Sequence, residues 1–225
     1  MTLIAEDVFL LLVDDNSGKP IVDSTKFPRV LAGGLVLELA MNGSVRITVK
    51  GEQVKDGRLV VSGPPPPDPL LARAHALIGS QGNPMKPQKA IEKLQKNLHK
   101  EIGFRLAQQG FVTERHDKIL GLFPTTSWPA QDATRKNWAR QWIGSSIIDG
   151  TTPTPEISAL ISLVSAIDAV PKVLPGVDKK MAKARAKQIA EGEWASAAVR
   201  KAVQDVNAAV MAAVMLPIIV STSSS

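Results

Sequence analysis

A mainly α-helical domain with peripheral β-hairpins is predicted by three features of the sequence. Apolar residues recur at helical spacing over most of the chain, two short segments have strand and hairpin patterns, and proline or glycine clusters separate the elements. The length of 225 residues suits one large domain or two small ones. Of these we expect a single domain over residues 1–220, with a frayed tail over residues 221–225, because a Ser/Thr tail buries nothing.

The first two helices are predicted on either side of a proline-containing loop. Helix one runs to about Val13, and the turn residues Asp14 to Gly18 end it. Helix two covers Val30–Met41, because Leu31, Leu35 and Leu39 lie at helical spacing before a stop at Asn42. The adjacent glycines of helix two, Gly33 and Gly34, are expected to permit close helix packing.

A first hairpin and a stiff linker follow helix two. Val45, Ile47 and Val49 alternate with polar residues, and Leu59–Val61 form the returning strand after a turn at Asp56 and Gly57. Prolines then dominate residues 63–69, which predicts an extended linker. A third helix is expected over Leu70–Ile78.

The fourth helix, predicted over Gln88–Gln109, has a basic face and an apolar face. At about 100° per residue, Lys93, Lys96 and Lys100 fall within about 40° of Lys89. The opposite face contains Ile91, Leu94, Leu98 and Ile102, and His99 flanks the lysine stripe. Such a stripe suits contacts to phosphates, and it equally suits a solvated helix face.

The rest of the chain is predicted to contain one more hairpin and then only helices. Phe111–Glu114 and Ile119–Phe123 are expected to pair through a turn at His116 and Asp117. From residue 128 to residue 220 the pattern predicts helices alone, with Trp138 and Trp142 at positions compatible with a core.

Composition and motifs argue against several classes of function. The absence of cysteine excludes a disulfide framework, a thiol nucleophile and a thiolate metal site, and it fits a cytoplasmic protein. No histidine pair has metal-ligand spacing, and no phosphate-binding, dinucleotide-binding or serine-hydrolase motif occurs. We therefore expect no enzyme activity, no metal and no cofactor. The net charge of +6 instead favours an anionic partner, such as a lipid surface or nucleic acid.

A short internal repeat leaves nucleic-acid binding open. The pattern L-A-x-x-G-x-V occurs at Leu39–Val45 and at Leu106–Val112, each time where a helix ends and a hairpin begins. Helix-then-wing is also the order of elements in winged-helix DNA-binding domains. A glycine helix cap followed by a strand is the simpler explanation.

Several collinear segments resemble the Golgi phosphoprotein 3 family. They are T-L-I-A-E-D-V-F-L-L-L at the start, Leu31–Ala40, Asn83–Lys86, Leu106–Thr126 and Leu160–Asp168. The resemblance implies a mainly helical domain that binds phosphatidylinositol 4-phosphate on the cytosolic face of a membrane. It also implies an adaptor that retains membrane enzymes by their tails, rather than an enzyme. The alanine and valine content is typical of a bacterial member.

The resemblance also suggests residues for the lipid headgroup. The family's two basic residues before L-A-x-x-G correspond to Lys96 and His99. The family's tryptophan and arginine positions hold Val22 or Asp23 and Ala32 in this chain. We hypothesise that Phe27 and Arg29, a few residues away, replace them. The flanking Lys93 and Lys100 complete the expected headgroup-binding set.

The family's membrane-inserting hairpin corresponds to residues 116–129 of this chain. Its apolar candidates for membrane insertion are Ile119, Leu120, Leu122 and Phe123. Contacts between copies of the chain, or packing on the next helix, are alternatives for these side chains. A homo-oligomer would strengthen membrane binding by avidity.

The preferred interpretation is a peripheral membrane protein that binds an anionic, phosphoinositide-type headgroup. A winged-helix nucleic-acid-binding protein is the alternative, although no nucleic-acid partner is expected, because helix four offers mostly lysine where base-reading side chains belong. A scaffold that binds only the tails of membrane enzymes would share the same fold.

Overall fold

The computed structural model describes residues 2–80, 82–119, 123–192 and 197–215, and it gives only the backbone for 117–119, 123–124 and 197–202. Within these ranges it contains helices and two separate two-stranded antiparallel sheets, which confirms the mainly α fold. The helices are α1 Ile4–Leu12, α2 Lys26–Met41, α3 Pro69–Gly79, α4 Pro87–Leu94, α5 Leu98–Gln108, α6 Thr134–Ile148, α7 Pro155–Ala166, α8 Val170–Val173, α9 Lys179–Glu191 and α10 Ala197–Met215. The strands are β1 Val45–Ile47, β2 Leu59–Val61, β3 Arg115–Ile119 and β4 Phe123–Ser127.

Helix α2 is the centre of the molecule. Every side chain from Val30 to Ala40 is buried, and α1, α3, α4, α5, α7 and α10 pack around it. A helix that is apolar on nearly all sides is stable only when neighbours cover all of its faces. The core of the described residues is accordingly one continuous apolar cluster built around this helix.

Helix α2 begins earlier than the periodicity predicts. Its first residue is Lys26, so Pro28 lies in the first turn, where a missing backbone N–H leaves no hydrogen bond unmade. Phe27 and Arg29 are therefore helical residues and not part of a loop. The preceding segment is held in place as well, because the Ile21 backbone N–H donates to the Leu12 carbonyl at 2.8 Å.

The two glycines of α2 allow neighbouring helices to approach closely, as predicted. A methyl group added at Gly33 would lie 2.6 Å from a Val210 side-chain carbon on α10. One added at Gly34 would lie 3.0 Å from the Cα atom of Ala5 on α1. Side chains at these two positions would push α1 and α10 away from the central helix.

The predicted fourth helix is two helices, so the prediction of one continuous element over Gln88–Gln109 is wrong. Helix α4 ends at Leu94 and α5 starts at Leu98, with Asn97 between them in the left-handed conformation at φ 57°. Asparagine tolerates this conformation better than most residues. The apolar positions keep their predicted role, since Ile91, Leu94, Leu98 and Ile102 are all buried. The lysine stripe, however, does not lie on one helix.

The first hairpin is confirmed and the second is displaced. Strands β1 and β2 pair Val45 with Val61 and Ile47 with Leu59. Strands β3 and β4 pair Arg115 with Ser127, four residues later in the chain than expected. The predicted turn residue His116 lies inside β3, opposite Thr126. The mixed sequence of β3, Arg-His-Asp-Lys-Ile, has no apolar alternation that would predict a strand.

The described part of the chain after residue 128 is helical, as predicted. Two tryptophans of α6 do not follow the prediction of core positions: Trp138 is 52% exposed and Trp142 is 38% exposed. Their rings lie next to each other at the surface, with centroids 6.2 Å apart.

Among the described residues, no helix combines the length and the apolar character that crossing a bilayer requires.

Candidate headgroup-binding site

The break between α4 and α5 exposes a group of basic side chains. Lys96 lies in the break itself, and His99 and Lys100 lie in the first turn of α5. The left-handed backbone at Asn97 changes the direction of the chain here. Helix α5 therefore has an N-terminus of its own, at Leu98. The helix dipole at such an end favours a negative charge nearby, although the backbone N–H groups of Leu98, Lys100 and Glu101 already donate to the Gln95 and Asn97 carbonyls. We call Lys96, His99 and Lys100 the break cluster.

Helix α5 is held in place by apolar contacts with the core and by two ion pairs of Arg105. Leu98, Ile102 and Leu106 are fully buried on one side of the helix. Arg105 forms ion pairs with Glu6 at 2.6 Å and with Asp68 at 2.5 Å. Since the Glu6 carboxylate is fully buried, this contact ties α5 firmly to α1. The break cluster therefore has a rigid support.

The lysines of the break cluster are not neutralised by carboxylates in the described structure. Lys96 and Lys100 are exposed, and neither forms a salt bridge within the described ranges. Lys93 on α4 is only partly exposed, and it has an interaction of its own within the protein. Lys96 and Lys100 are thus the exposed lysines that an external anion can reach.

His99 is a partly buried imidazole next to these lysines. Its Nδ1 atom is buried and has no hydrogen-bond partner in the described part of the protein. Burial lowers the pKa of His99 below its usual value of 6.5, and the charge of Lys100 lowers it further. A neutral imidazole at pH 7 is the consequence. A bound anion would have the opposite effect and favour the imidazolium form.

The residues proposed to replace the family's tryptophan and arginine occupy different environments. Arg29 is half-buried on α2, and its Nε atom is buried without a partner among the described residues. Phe27 is only 3% exposed, and its ring packs 5.4 Å from the Phe9 ring, centroid to centroid. Phe27 therefore belongs to the core, and the expectation that it presents an aromatic surface to a headgroup is corrected. Ala32 is also fully buried, so its position cannot reach a surface ligand.

Arg29 lies in the first turn of α2. Helix α2 contacts both α4 and α5, the two helices on either side of the break. Arg29 therefore lies on the common neighbour of these helices. Arg29 stays a predicted headgroup residue.

The hairpin predicted to enter a membrane is partly described. Ile119 and Phe123 form the last backbone pair of β3 and β4 before the connecting segment. Leu120 and Leu122 lie outside the described residues. The hairpin register thus places Ile119 and Phe123 at the end of the hairpin that the connecting segment closes.

A second group of basic residues lies at Lys172 and along α9, and three of its lysines have partners within the protein. Lys172 Nζ donates to the Ile21 carbonyl at 2.7 Å, and Lys183 pairs with Asp168 at 2.9 Å. Lys187 lies 3.9 Å from Glu191, one helical turn further along α9. Lys183 and Lys187 therefore differ from Lys96 and Lys100, which have no carboxylate partner among the described residues.

A polar pair between α7 and α10 was not predicted from the sequence. Asn207 and Ser162 are both buried, and Asn207 Nδ2 donates to Ser162 Oγ. The sequence did contain a sign of this buried polar residue, because Asn207 interrupts the apolar positions Val203, Val206 and Val210 of α10.

No group of three or more His, Asp or Glu side chains suited to a metal ion occurs among the residues that the structure describes.

A family model matches most of the chain. The model of the family described as Golgi phosphoprotein 3 (GPP34) matches residues 4–206, which includes α1 to α9 and the break cluster. No curated protein matches the chain.

Proposed function

The chain belongs to the Golgi phosphoprotein 3 (GPP34) family, and from this membership we propose that it is a peripheral membrane protein that binds an anionic phosphoinositide-type headgroup. The observation that supports the proposal most directly is the break cluster. Lys96 and Lys100 are exposed without carboxylate partners in the described structure, and they flank His99 at the start of α5. Phosphatidylinositol 4-phosphate is the lipid that the family resemblance suggests.

The proposed binding begins with electrostatic attraction. The net charge of +6 draws the protein to an anionic surface, and each lysine near that surface contributes about 1 kcal/mol. The headgroup phosphate then lies at the N-terminal end of α5, between Lys96 and Lys100. Arg29 and His99 offer further donors at buried nitrogen atoms that have no partner among the described residues.

Shallow insertion of the second hairpin completes the proposed binding. Ile119, Leu120, Leu122 and Phe123 are four apolar residues at or beside the segment that connects β3 and β4. Apolar and aromatic side chains at this position would enter the interfacial layer after the headgroup is bound. Several copies of the chain on one membrane would add avidity.

An adaptor role for membrane enzymes on the cytosolic face of the membrane is part of the same proposal. Peptides that represent the cytosolic tails of membrane enzymes should bind the full chain in calorimetric titrations. Tails that fail to bind at millimolar concentration would exclude the adaptor role, and the proposal of lipid binding would still stand.

Bacterial origin stays a prediction from composition alone.

Charge reversal within the break cluster tests the proposed headgroup site. In sedimentation with vesicles that contain phosphatidylinositol 4-phosphate, Lys96→Glu/Lys100→Glu should weaken binding by roughly 30-fold or more, the equivalent of about 2 kcal/mol. The matched control is Lys179→Glu/Lys180→Glu, which makes the same change in net charge at two exposed residues of α9. Equal losses in the two variants would show that net charge alone acts, and the proposed site would be wrong.

The same proteins separate lipid binding from nucleic-acid binding. Duplex DNA at physiological salt should not be shifted by the wild-type protein, because a few lysine–phosphate contacts without base-reading side chains give only weak binding at that salt concentration. DNA binding without vesicle binding would replace the present proposal by the winged-helix alternative.

A further inference from the structure

A cavity of about 860 Å³ lies between α7, α9 and α10. This volume is within the range of roughly 300–1,000 Å³ that small-molecule sites occupy. None of the residues that line it belongs to the break cluster. The cavity is therefore a separate feature, and the proposed headgroup binding does not account for it.

The cavity has a buried polar floor. Asn207 is 9% exposed and Ser162 is 1% exposed, and both line the cavity. The amide Nδ2 of Asn207 donates to Ser162 Oγ, whereas its Oδ1 has no hydrogen-bond partner among the described residues. A buried carbonyl oxygen without a partner is unfavourable, so this site favours a ligand that brings a hydrogen-bond donor.

The rim of the cavity is charged but balanced. Lys183 pairs with Asp168 at 2.9 Å, and Lys187 lies 3.9 Å from Glu191. All four side chains line the opening, and each cation has a carboxylate beside it. The rim therefore has no excess charge that would select an anion. This property separates the cavity from the break cluster, and it favours a neutral or zwitterionic ligand.

The walls are apolar and suit a hydrocarbon group. Ala166 follows Ser162 by one turn of α7, and Met211 follows Asn207 by one turn of α10. Val170 of α8 adds a branched aliphatic side chain to the same wall. Methionine adapts its shape to apolar partners more easily than branched residues do, so Met211 can follow a flexible chain.

We propose that this cavity binds a neutral amphipathic small molecule whose hydroxyl or amide N–H group donates to Asn207 Oδ1. Its hydrocarbon part lies along Ala166, Val170 and Met211. The balanced rim accepts the polar remainder of the ligand without requiring a charge. The cavity is thus a second ligand site, independent of the site at the break between α4 and α5.

A pair of chemically matched probes tests the proposal with the full chain. The probe is 1-decanoylglycerol below its micelle-forming concentration, and its control is the same ester with both hydroxyl groups methylated. Calorimetry should show that the methylated control binds roughly tenfold more weakly, because it cannot donate a hydrogen bond to Asn207 Oδ1. In nuclear magnetic resonance spectra, the probe should shift the Met211 methyl and Asn207 side-chain amide signals.

Two variants test how much the Asn207 acceptor and the cavity volume each contribute to binding of the probes. Asn207→Leu should weaken 1-decanoylglycerol roughly tenfold and leave binding of the methylated control unchanged. Ala166→Trp should abolish binding of both probes by filling the cavity, and circular dichroism checks that each variant is folded. Both variants should sediment with phosphoinositide vesicles as the wild-type protein does.

Three results would overturn the proposal. The first is equal affinity of the wild-type protein for the two probes. The second is a set of spectral shifts that leaves Met211 and Asn207 unaffected. The third is a nuclear Overhauser contact in the ligand-free protein between the Met211 methyl group and residues 216–220, which would identify the chain's own C-terminal segment as the occupant.

Discussion

His99 combines two properties that make it sensitive to a bound anion. Its imidazole is partly buried next to Lys100, and burial and the neighbouring charge lower its pKa below 6.5. A phosphate group at the break cluster would compensate the charge of Lys100 and raise the pKa of His99. Binding and protonation of His99 should therefore favour each other.

Replacement of this imidazole should remove one source of pH dependence in vesicle binding. We expect the affinity advantage of the wild-type protein over His99→Gln to grow as the pH falls from 7.5 to 5.5. Measurement of both proteins on the same phosphoinositide vesicles cancels the titration of the lipid phosphate itself. A constant ratio of affinities over this pH range would show that His99 does not face the headgroup.

Glu38 is a buried carboxyl group with a raised pKa. Burial raises the pKa of Glu38 from 4.5 to about 7, and the nearby charges of Asp68, Glu6 and Asp7 act in the same direction. The hydrogen bond that its Oε2 atom accepts from the Ile4 backbone N–H, at 2.9 Å, lowers the pKa but does not offset the effect of burial. Between about pH 4.5 and 7, the folded protein therefore holds a proton that the unfolded chain has released.

The sign of this effect gives a stability prediction. The contribution of Glu38 is fully present below pH 4.5 and is lost as the pH rises through about 7. Relative to Glu38→Gln, which stays neutral and keeps an oxygen acceptor for the Ile4 N–H, the wild-type protein should lose on the order of 2 kcal/mol of unfolding free energy between pH 5 and pH 8. Urea unfolding at both pH values measures this difference.

An exposed glutamate provides the control for Glu38. Glu156 lies exposed in the first turn of α7, so Glu156→Gln should alter the unfolding free energy little at either pH. A difference between wild type and Glu38→Gln that does not change with pH would contradict the raised pKa.

At the scale of elements, the close approach of α1 to α2 depends on a glycine. A Cβ atom at Gly34 would lie 3.0 Å from the Ala5 Cα atom and 3.1 Å from the Ala5 backbone nitrogen. Backbone atoms cannot move aside as the end of a side chain can. Gly34→Ala should therefore destabilise the protein by about 1–3 kcal/mol, even though alanine is the better helix former.

A second helical glycine serves as a control for this packing argument. At Gly144 of α6, a Cβ atom would meet only the Leu174 side chain at 3.7 Å, an ordinary contact distance. Gly144→Ala should be neutral or stabilising by roughly 0.5–1 kcal/mol. Thermal unfolding compares the two variants, and equal effects would show that packing against α1 is not the cause.

The hairpin of β3 and β4 carries the insertion step of the proposed function. Leu120→Ser/Leu122→Ser should weaken vesicle binding at least tenfold through loss of apolar contact with the membrane, while the helix content stays the same. A parallel sedimentation-velocity run reports whether the association state changes. If the variant becomes monomeric and vesicle binding falls only with that change, the residues are oligomer contacts instead.

At the scale of the whole molecule, the net charge of +6 makes membrane association dependent on salt. The screening length falls from about 10 Å at 0.1 M salt to about 3 Å at 1 M, so the long-range attraction should nearly vanish. We expect vesicle binding by the wild-type protein to weaken more than tenfold over this range, as measured by sedimentation. The Lys96→Glu/Lys100→Glu variant should show a flatter dependence, and salt-independent binding by the wild type would contradict the electrostatic step.

The core positions of the helices were largely predictable from the sequence. Burial of one helix face leaves a periodic apolar pattern, and this pattern correctly assigned Ile91, Leu94, Leu98 and Ile102 to the core. The break at Asn97 was not predictable from this pattern, because the apolar residues continue in phase on both sides of it. Trp138 and Trp142 show the opposite failure: their positions on the predicted helix suggested burial, but the neighbouring helices leave both side chains exposed.

The sequence by itself determined the mainly helical class, the basic character, the close helix contacts at Gly33 and Gly34, and the family, because periodicity, composition and collinear segments are local properties of the chain. Only the tertiary structure decided that Phe27 is buried against Phe9, that Arg105 ties α5 to the buried Glu6, and that Asn207 and Ser162 form the floor of a cavity. These contacts join residues far apart in the chain, and which residues meet depends on how all the helices pack together around α2.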